Sequence, residues 1–488
     1  MDFEKFRELA KDNKTVPVYK RILADLLTPI SAYMRLSKNA DFSFILESAE
    51  NTNQYGRYSF IGRNPELVMR SKDGLTQILK GDRWEIQNSS FIEYLRMIYG
   101  NYKTPKLVGL PSFTGGLVGY MGYESIVWIE DIPIHGSSDV EYPDAVFMLF
   151  TELISFDHFK NQIILFKNIQ IENNLDLEIA YSEAQHDIDR IGEDLHTDID
   201  YQTPQKQQKS TLDSSFTEQK FKEAVLSSKE YIKAGDIFQV VLSQRFTRET
   251  NASPLSIYRA LRSINPSPYM FYFELNQFSI VGASPELLVK VEDSEIEIRP
   301  IAGTRKRGLS AISDQEIASE LISDEKERAE HLMLVDLGRN DVGKTAKYNS
   351  VHVKEFMLVE YYSHVMHIVS DVRGKLKDDS DIFDALYSGF PAGTLTGAPK
   401  IRAMEIINQL EPKKRGLYGG AIGYFDFSGD MNTCIAIRTM VVKDGRVYFQ
   451  SGAGIVIDSN PDKEFEETIH KAQAINSAID LAEKGLVK

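Results

Sequence analysis

Cysteine is almost missing: Cys434 stands alone among 488 residues. The chain therefore cannot close a disulfide on itself or build a cysteine-based zinc or iron–sulfur site. No apolar run approaches the roughly 18 residues that cross a bilayer. The first residues, MDFEKFRELAKDNK, also lack the apolar core of a secretory signal. Positive charge is in deficit, 56 Lys and Arg against 71 Asp and Glu, for a net −15 at neutral pH. A surface of that sign repels a phosphate backbone, which excludes nucleic acid as the main partner. These absences together predict a soluble, cytoplasmic protein with no membrane and no nucleic-acid partner.

What is present suits a chain of about two or three domains by length. Large apolar residues thin out in IGEDLHTDIDYQTPQKQQKSTLDSSF (191–216), which predicts a segment 1–190, a linker or excursion 191–215, and a second segment 216–488. Before that break, FSFIL (42–46) and RYSFIG (57–62) read as strands, FIEYLRMIYG (91–100) as a helix, and LISFDHFKNQIILF (153–166) as a hairpin. Near the end, residues 421–457 read as three or four consecutive antiparallel strands of one sheet, with Asp444-Gly445 at a hairpin turn. An amphipathic helix follows over 463–485. Consecutive hairpins and separate helices define an α+β class with largely antiparallel sheets.

One octet, GRNDVGKT (338–345), satisfies G-x-x-x-x-G-K-[ST], with Gly338, Gly343, Lys344 and Thr345 in the specified places. A phosphate loop needs a strand before it and a helix after it. Here SDEKERAEHLMLVDL reads as a helix over 324–337, and TAKYNSVHVKEF continues as turn and strand. The context argues against a nucleotide site, which stays as an alternative.

Denser signals run through YIKAGDIFQVVLSQRF (231–246), IVGASPELLV (280–289), RPIAGTRKRG (299–308), EHLMLVDLGRND (330–341), YYSHVMHIVSDVRG (361–374), FPAGTLTGAPKIRAMEII (390–407), YGGAIGY (418–424) and QSGAGIVIDSNPDKEFEETIHKA (450–472). Taken in order, this set resembles the chorismate-utilising enzymes. The first half matches more thinly through ILES (45–48), GRYSFIG (56–62) and GGLVGYMGYE (115–124). The resemblance implies a sandwich of antiparallel sheets with helices outside and two interleaved subdomains.

It also implies a site. Glu286 in GASPE matches the proton donor to the departing 4-hydroxyl of chorismate, and His367 in VMHIV the group that acts in the later loss of pyruvate. Glu330 and Glu467, one on each of two helices, match the Mg²⁺ ligands, and Glu464 shares a face with Glu467. Chorismate contacts map to Gly303, Thr304, Thr394, Tyr418, Arg438, Gly452, Ala453, Gly454 and Lys471, of which Thr394 is also placed with the catalytic groups. Two carboxylates on the substrate call for such cations and close backbone amides.

Members of the family differ in the nucleophile. Water-adding members use a lysine base where this chain has Gln239, and an amide takes no proton at neutral pH. Members that make aminodeoxychorismate carry a nucleophilic lysine in PIKGT; this chain reads PIAGT, and the methyl of Ala302 forms no covalent amine intermediate. Ammonia remains. The resemblance then implies formation of anthranilate and pyruvate, with ammonia from a separate glutamine amidotransferase subunit and hence a hetero-oligomer. It places a tryptophan feedback site at Glu47, Ser48, Pro268, Tyr269 and Met270. Aminodeoxychorismate formation is the nearest alternative. Lys344→Ala is expected to leave nearly all anthranilate formation intact, read by product fluorescence; a large loss would restore the nucleotide reading.

Overall fold

Runs such as YMFYFEL and SIVGAS send alternate side chains to opposite faces of a strand, and in the computed structural model both faces are covered. The structure describes residues 1–48, 56–134, 138, 140–199, 210–362 and 365–486, so part of the 191–215 stretch lies outside the described residues. Two twelve-stranded sheets carry the fold, with every named strand pair antiparallel. The first joins Phe42–Glu47 of the amino-terminal half to Tyr269–Leu275. The second joins Gly116–Met121 to Ala421–Asp426. Each sheet is thus assembled from both halves of the chain, the interleaved α+β sandwich that the sequence implied.

Phe271 and Phe273 point between the sheets, where they meet Val118, Tyr120 and Ile422 of the opposite layer. Their neighbours Met270 and Tyr272 point outward into a second core, under helices Pro254–Ile264 and Pro461–Glu483. Helices Glu325–Thr345 and Ile382–Gly389 cover the other sheet in the same way, whereas Lys400–Leu410 packs on strand Gln239–Glu249 of the first.

Two readings of the sequence need correction. The stretch 421–457 does form four strands, with Asp444 (φ 50°) and Gly445 (φ 72°) in the turn. They do not share a sheet, however: Ala421–Asp426 and Met431–Ile435 lie in the second sheet, Thr439–Lys443 and Arg446–Ile455 in the first. Both hairpins are buried on both faces, so their patterning carries no sign of which layer they join. The chain crosses between layers at residues 436–438, where Arg438 adopts φ 49°.

The second correction concerns the octet. The helix expected to end at 337 continues as Glu325–Thr345, and GRNDVGKT forms its last turns. Gly338 is small because Pro300 and Val372 pack against it, and Asp336–Arg339 (3.2 Å) and Asp341–Lys344 (3.1 Å) are helix-face pairs. No strand leads into the octet and no loop surrounds it, which removes the phosphate-loop reading.

The C-terminal helix, Pro461–Glu483, is fixed to strand Gln239–Glu249 by Arg248. This fully buried guanidinium donates to Asn476 (2.6 Å), Asp480 (2.5 Å) and Glu483 (2.5 Å). Breaking a buried pair from one side costs about 3–5 kcal/mol. Arg248→Ala is expected to lower the unfolding free energy by about that amount in urea titrations; a loss under about 1 kcal/mol would show the clamp to be unimportant.

Candidate active site

Glu286 lies between Ser279–Ser284 of the first sheet and Leu287–Glu292 of the second, so it sits where the chain changes layers. The crossing at 436–438 runs beside it. Ile435 N–H donates to Glu286 O at 3.1 Å, and Ala283 N–H to Arg438 O at 3.2 Å. Two adjacent crossings thus put a carboxyl and a guanidinium together in the gap between sheets. Thr394 Oγ1 donates to Glu286 Oε1 at 2.8 Å. Burial pushes the Glu286 carboxyl up to about 7, against the lowering effects of that hydrogen bond and of the charges on Arg438 and Lys471.

His367 stands on Val365–Lys375, opposite Thr304 of Ile301–Lys306, where a register shift at Gly303 (φ 63°) turns a carbonyl inward. Its Nδ1 is 3.0 Å from Gly303 O and 3.1 Å from Thr304 Oγ1. A carbonyl only accepts, so Nδ1 carries the proton and Nε2 keeps a lone pair. Burial holds the imidazole below its ordinary pKa, and Arg438 pushes the same way. The Arg438 charge is therefore felt by both Glu286 and His367, which places a carboxyl and an imidazole around one guanidinium.

A strip of strand Arg446–Ile455 supplies the close approach. A Cβ on Gly452 would stand 2.9 Å from Tyr418 Oη, and one on Gly454 would stand 2.7 Å from Gln239 Nε2. Ala453 turns its methyl into the core beside Phe221 and Ile406, so only its backbone is left to face a ligand. Burial raises the Tyr418 phenol, with Glu286 and Glu467 among the charges that add to it.

Beyond Gly454 the two helices bring their carboxylates together. The Glu330 carboxyl is raised by burial first and then by Glu327, and Glu467 adds to the rise; the Gln239 side chain hydrogen-bonds it. Glu464 is raised by burial, with Glu467 again contributing. Lys471 Nζ bridges Glu467 (2.7 Å) and Gly452 O (3.0 Å). Among the described residues no three His, Cys, Asp or Glu side chains converge into a ready cage. The arrangement is a sparse pair of hard oxygen donors in negative surroundings, which fits an ion that keeps most of its positions for water and substrate.

The residues expected at a second site also meet. Glu47 lies opposite Met270 and accepts from Tyr258 Oη at 2.6 Å and from Arg262 at 3.2 Å. Pro268 is buried and Tyr269 half-buried on the same segment, while the Met270 side chain is packed in the outer core. Ser48 Oγ and Asn265 Nδ2 are buried without a hydrogen-bond partner.

One pair was missed. Arg415 is buried and donates to Glu411 (2.6 and 2.9 Å), Leu395 O (2.6 Å) and Val241 O (2.8 Å), with its guanidinium 5.6 Å from the Tyr418 ring centre. Glu411 accepts in turn from Ser243 N–H (2.8 Å) and Oγ (2.7 Å). Nothing in EPKKRGLYGG marks Arg415 as buried, and only the i,i+4 spacing of Glu411 and Arg415 hints at a pair.

The fold and site define a class. The model of the chorismate binding enzyme family matches residues 30–477, and the chain belongs to that family. Anthranilate synthase component 1 of Acetivibrio thermocellus is 46% identical over 484 residues, covering 97% of each chain. The component 1 of Synechocystis is 45% identical over 500 residues, covering 98% of each. Among solved structures, anthranilate synthase component I from Streptococcus pneumoniae TIGR4 superposes with a TM-score of 0.76 at 36% identity, over 93% of this chain and 99% of that one. The menaquinone-specific isochorismate synthase MenF of Escherichia coli shares the fold at 17% identity, with a TM-score of 0.70 over 98% of both chains.

Arg415→Met is expected to cost about 3–5 kcal/mol in stability, and adding Glu411→Leu to recover only part of it, because the apolar pair removes the unpaired carboxylate but leaves Leu395 O, Val241 O and Ser243 N–H without partners. Chorismate turnover should stay low in the double variant, since Leu395 O and Val241 O have lost their donor. Full activity in that variant would make the pair a mere staple.

Proposed function

We propose that the chain converts chorismate and ammonia to anthranilate, pyruvate and water, the first step of tryptophan synthesis. The observation that carries this is the placement of Glu286, with a raised carboxyl pKa, and His367, with an open Nε2, around Arg438. Glu286 in its protonated form gives its proton to the leaving 4-hydroxyl as ammonia adds at C2. His367 Nε2 then takes the C2 proton as the enolpyruvyl group leaves, and the ring becomes aromatic. Arg438 and Lys471 grip the substrate carboxylates, and Tyr418, Thr394, Gly303, Thr304 and the 452–454 backbone shape the pocket around the ring.

Glu330 and Glu467 would hold Mg²⁺, with Glu464 in reserve. When bound, the ion offsets their mutual repulsion and polarises a substrate carboxylate. Lys471 pairs with Glu467 at 2.7 Å and is released to the substrate when that carboxylate is engaged elsewhere.

The nucleophile follows from two side chains. Gln239 offers no base for water, and Ala302, 8% exposed, offers no amine. Ammonia itself must come from outside: burial pushes the Cys434 thiol up to about 12, far from the thiolate a glutaminase needs. A separate glutamine amidotransferase subunit fits this, as does the component 1 naming of the relatives.

Feedback by tryptophan is supported by the unpartnered Ser48 Oγ and Asn265 Nδ2 beside Glu47 and Pro268. Asn265 Oδ1 accepts from Arg438 at 3.4 Å, so a ligand that orders the 265–270 segment acts on the catalytic guanidinium.

Purified chain with chorismate, Mg²⁺ and an ammonium salt should develop anthranilate fluorescence, and Glu467→Gln should remove nearly all of it; nucleotide dependence or silence would refute the reading. The pH profile of kcat/KM carries a second prediction. Glu286 works protonated, so activity should fall as pH rises through about 7, and His367 works neutral, so it should also fall on the acid side below the ordinary histidine range. Thr394→Val removes a hydrogen bond to the ionised form and should move the alkaline limb upward; a downward shift would contradict the assignment. Tryptophan should raise the apparent KM for chorismate in the parent chain and much less in Ser48→Ala.

A further inference from the structure

The stretch GGLVGYMGYE (115–124) of the amino-terminal half supplies no group to the chemistry above. Its strand, Gly116–Met121, pairs antiparallel with Ala421–Asp426, Met121 opposite Ala421. Residues 122–124 therefore run past the turn 411–420 that leads into the partner strand. That turn carries Arg415 and Tyr418.

The contact is made through the backbone of the turn. Glu124 Oε1 accepts from Arg415 N–H at 2.6 Å, and Oε2 from Gly416 N–H at 2.8 Å. Tyr142 Oη accepts from Leu417 N–H at 2.9 Å, and Tyr123 N–H donates to Gly416 O at 2.7 Å. Three successive amides of the turn are thus held by two side chains from the first half. Packing is equally close: a Cβ on Gly122 would stand 2.9 Å from Gly416 O, and the Arg415 guanidinium lies 4.7 Å from the Tyr123 ring centre. Hydrogen bonds to an ionised acceptor are about twice as strong as neutral ones, and a carboxylate that takes two consecutive N–H groups fixes both peptide planes. Gly416 has φ 62°, so the chain pivots at the residue this carboxylate holds. Two residues on, Tyr418 brings its Oη against Gly452, and a shift of the turn is felt at the pocket wall.

We propose that Glu124 is a positioning residue for chorismate binding: by accepting the Arg415 and Gly416 N–H groups, it sets where Tyr418 Oη stands. This rests on the reading of Tyr418 as a wall of the chorismate pocket. Burial pushes the Glu124 carboxyl up to about 7 against the pull of its N–H donors, so mildly alkaline pH keeps it ionised for the test. Glu124→Gln keeps the side-chain shape but turns an N–H donor toward one of the two amides. With Mg²⁺ and no ammonium, the calorimetric Kd for chorismate should then rise about tenfold. In a Tyr418→Phe background the same change should raise Kd by less than about twofold, because the group it positions is gone. Asp426 gives the matched control at the far end of the strand, where its carboxylate accepts from Thr114 N–H at 2.7 Å and Ser428 N–H at 2.8 Å. Asp426→Asn should lower the urea midpoint and leave Kd unchanged. Amide hydrogen exchange at 415–418 should quicken in Glu124→Gln without any ligand. Should that variant not fold, Tyr142→Phe drops one acceptor and should show both changes to a smaller degree. Unchanged exchange, an unchanged Kd, losses that multiply in the double variant, or an equal loss in Asp426→Asn would each overturn the proposal. A parent chain that binds no chorismate would overturn the pocket reading instead, while the exchange result still decides whether Glu124 holds the turn.

Discussion

The site depends on one buried guanidinium that takes no part in the chemistry. Arg415 satisfies carbonyls on two separate elements, Leu395 O and Val241 O, and is neutralised by Glu411, which in turn holds Ser243. Thr394 neighbours the first carbonyl, Gln239 lies two residues before the second, Gly452 pairs with Ser243, and Tyr418 lies under the same cation. A buried charge is costly unless each of its donors finds an acceptor. Meeting that condition fixes the relative positions of the turn, the strand and the ring that meet a ligand.

The electrostatics around it divide the site in two. On one side, the Arg438 charge reaches both Glu286 and His367, at the paired crossings where the chain passes between layers. On the other, the Glu467 charge reaches Glu330 from a second helix, and Lys471 reaches from Glu467 back to the Gly452 carbonyl. A dianionic substrate with a departing hydroxyl at one end and carboxylates to be held matches that division. The first sheet's clamp through Arg248 keeps the C-terminal helix, and with it Glu467 and Lys471, in register with the strand that carries Gln239.

Much of this was legible in the chain. Hairpins announced by Asp444-Gly445 and by the 153–166 run formed as read, because a short turn between two strand-forming runs specifies their pairing locally. Glu286, His367, Arg438 and Glu467 were legible as candidates through ordered motifs. The layer that each carboxy-terminal hairpin joins was not, since strands buried on both faces carry no inside–outside signal. GRNDVGKT misled in the opposite direction: glycine in a helix signals a break by propensity, yet Gly338 is held in the helix by packing against Pro300 and Val372. Arg415 was missed because two of its three acceptor residues, Leu395 and Val241, are reached through backbone carbonyls, which leave no trace in a sequence.

The central claim is the division of labour between Glu286 and His367, and product analysis of two variants tests it most directly. With chorismate, Mg²⁺ and ammonium, His367→Asn should accumulate an aminated product that keeps its enolpyruvyl group, whereas Glu286→Gln should leave chorismate unreacted. An aminated intermediate from Glu286→Gln, or anthranilate at the parent rate from His367→Asn, would contradict the account.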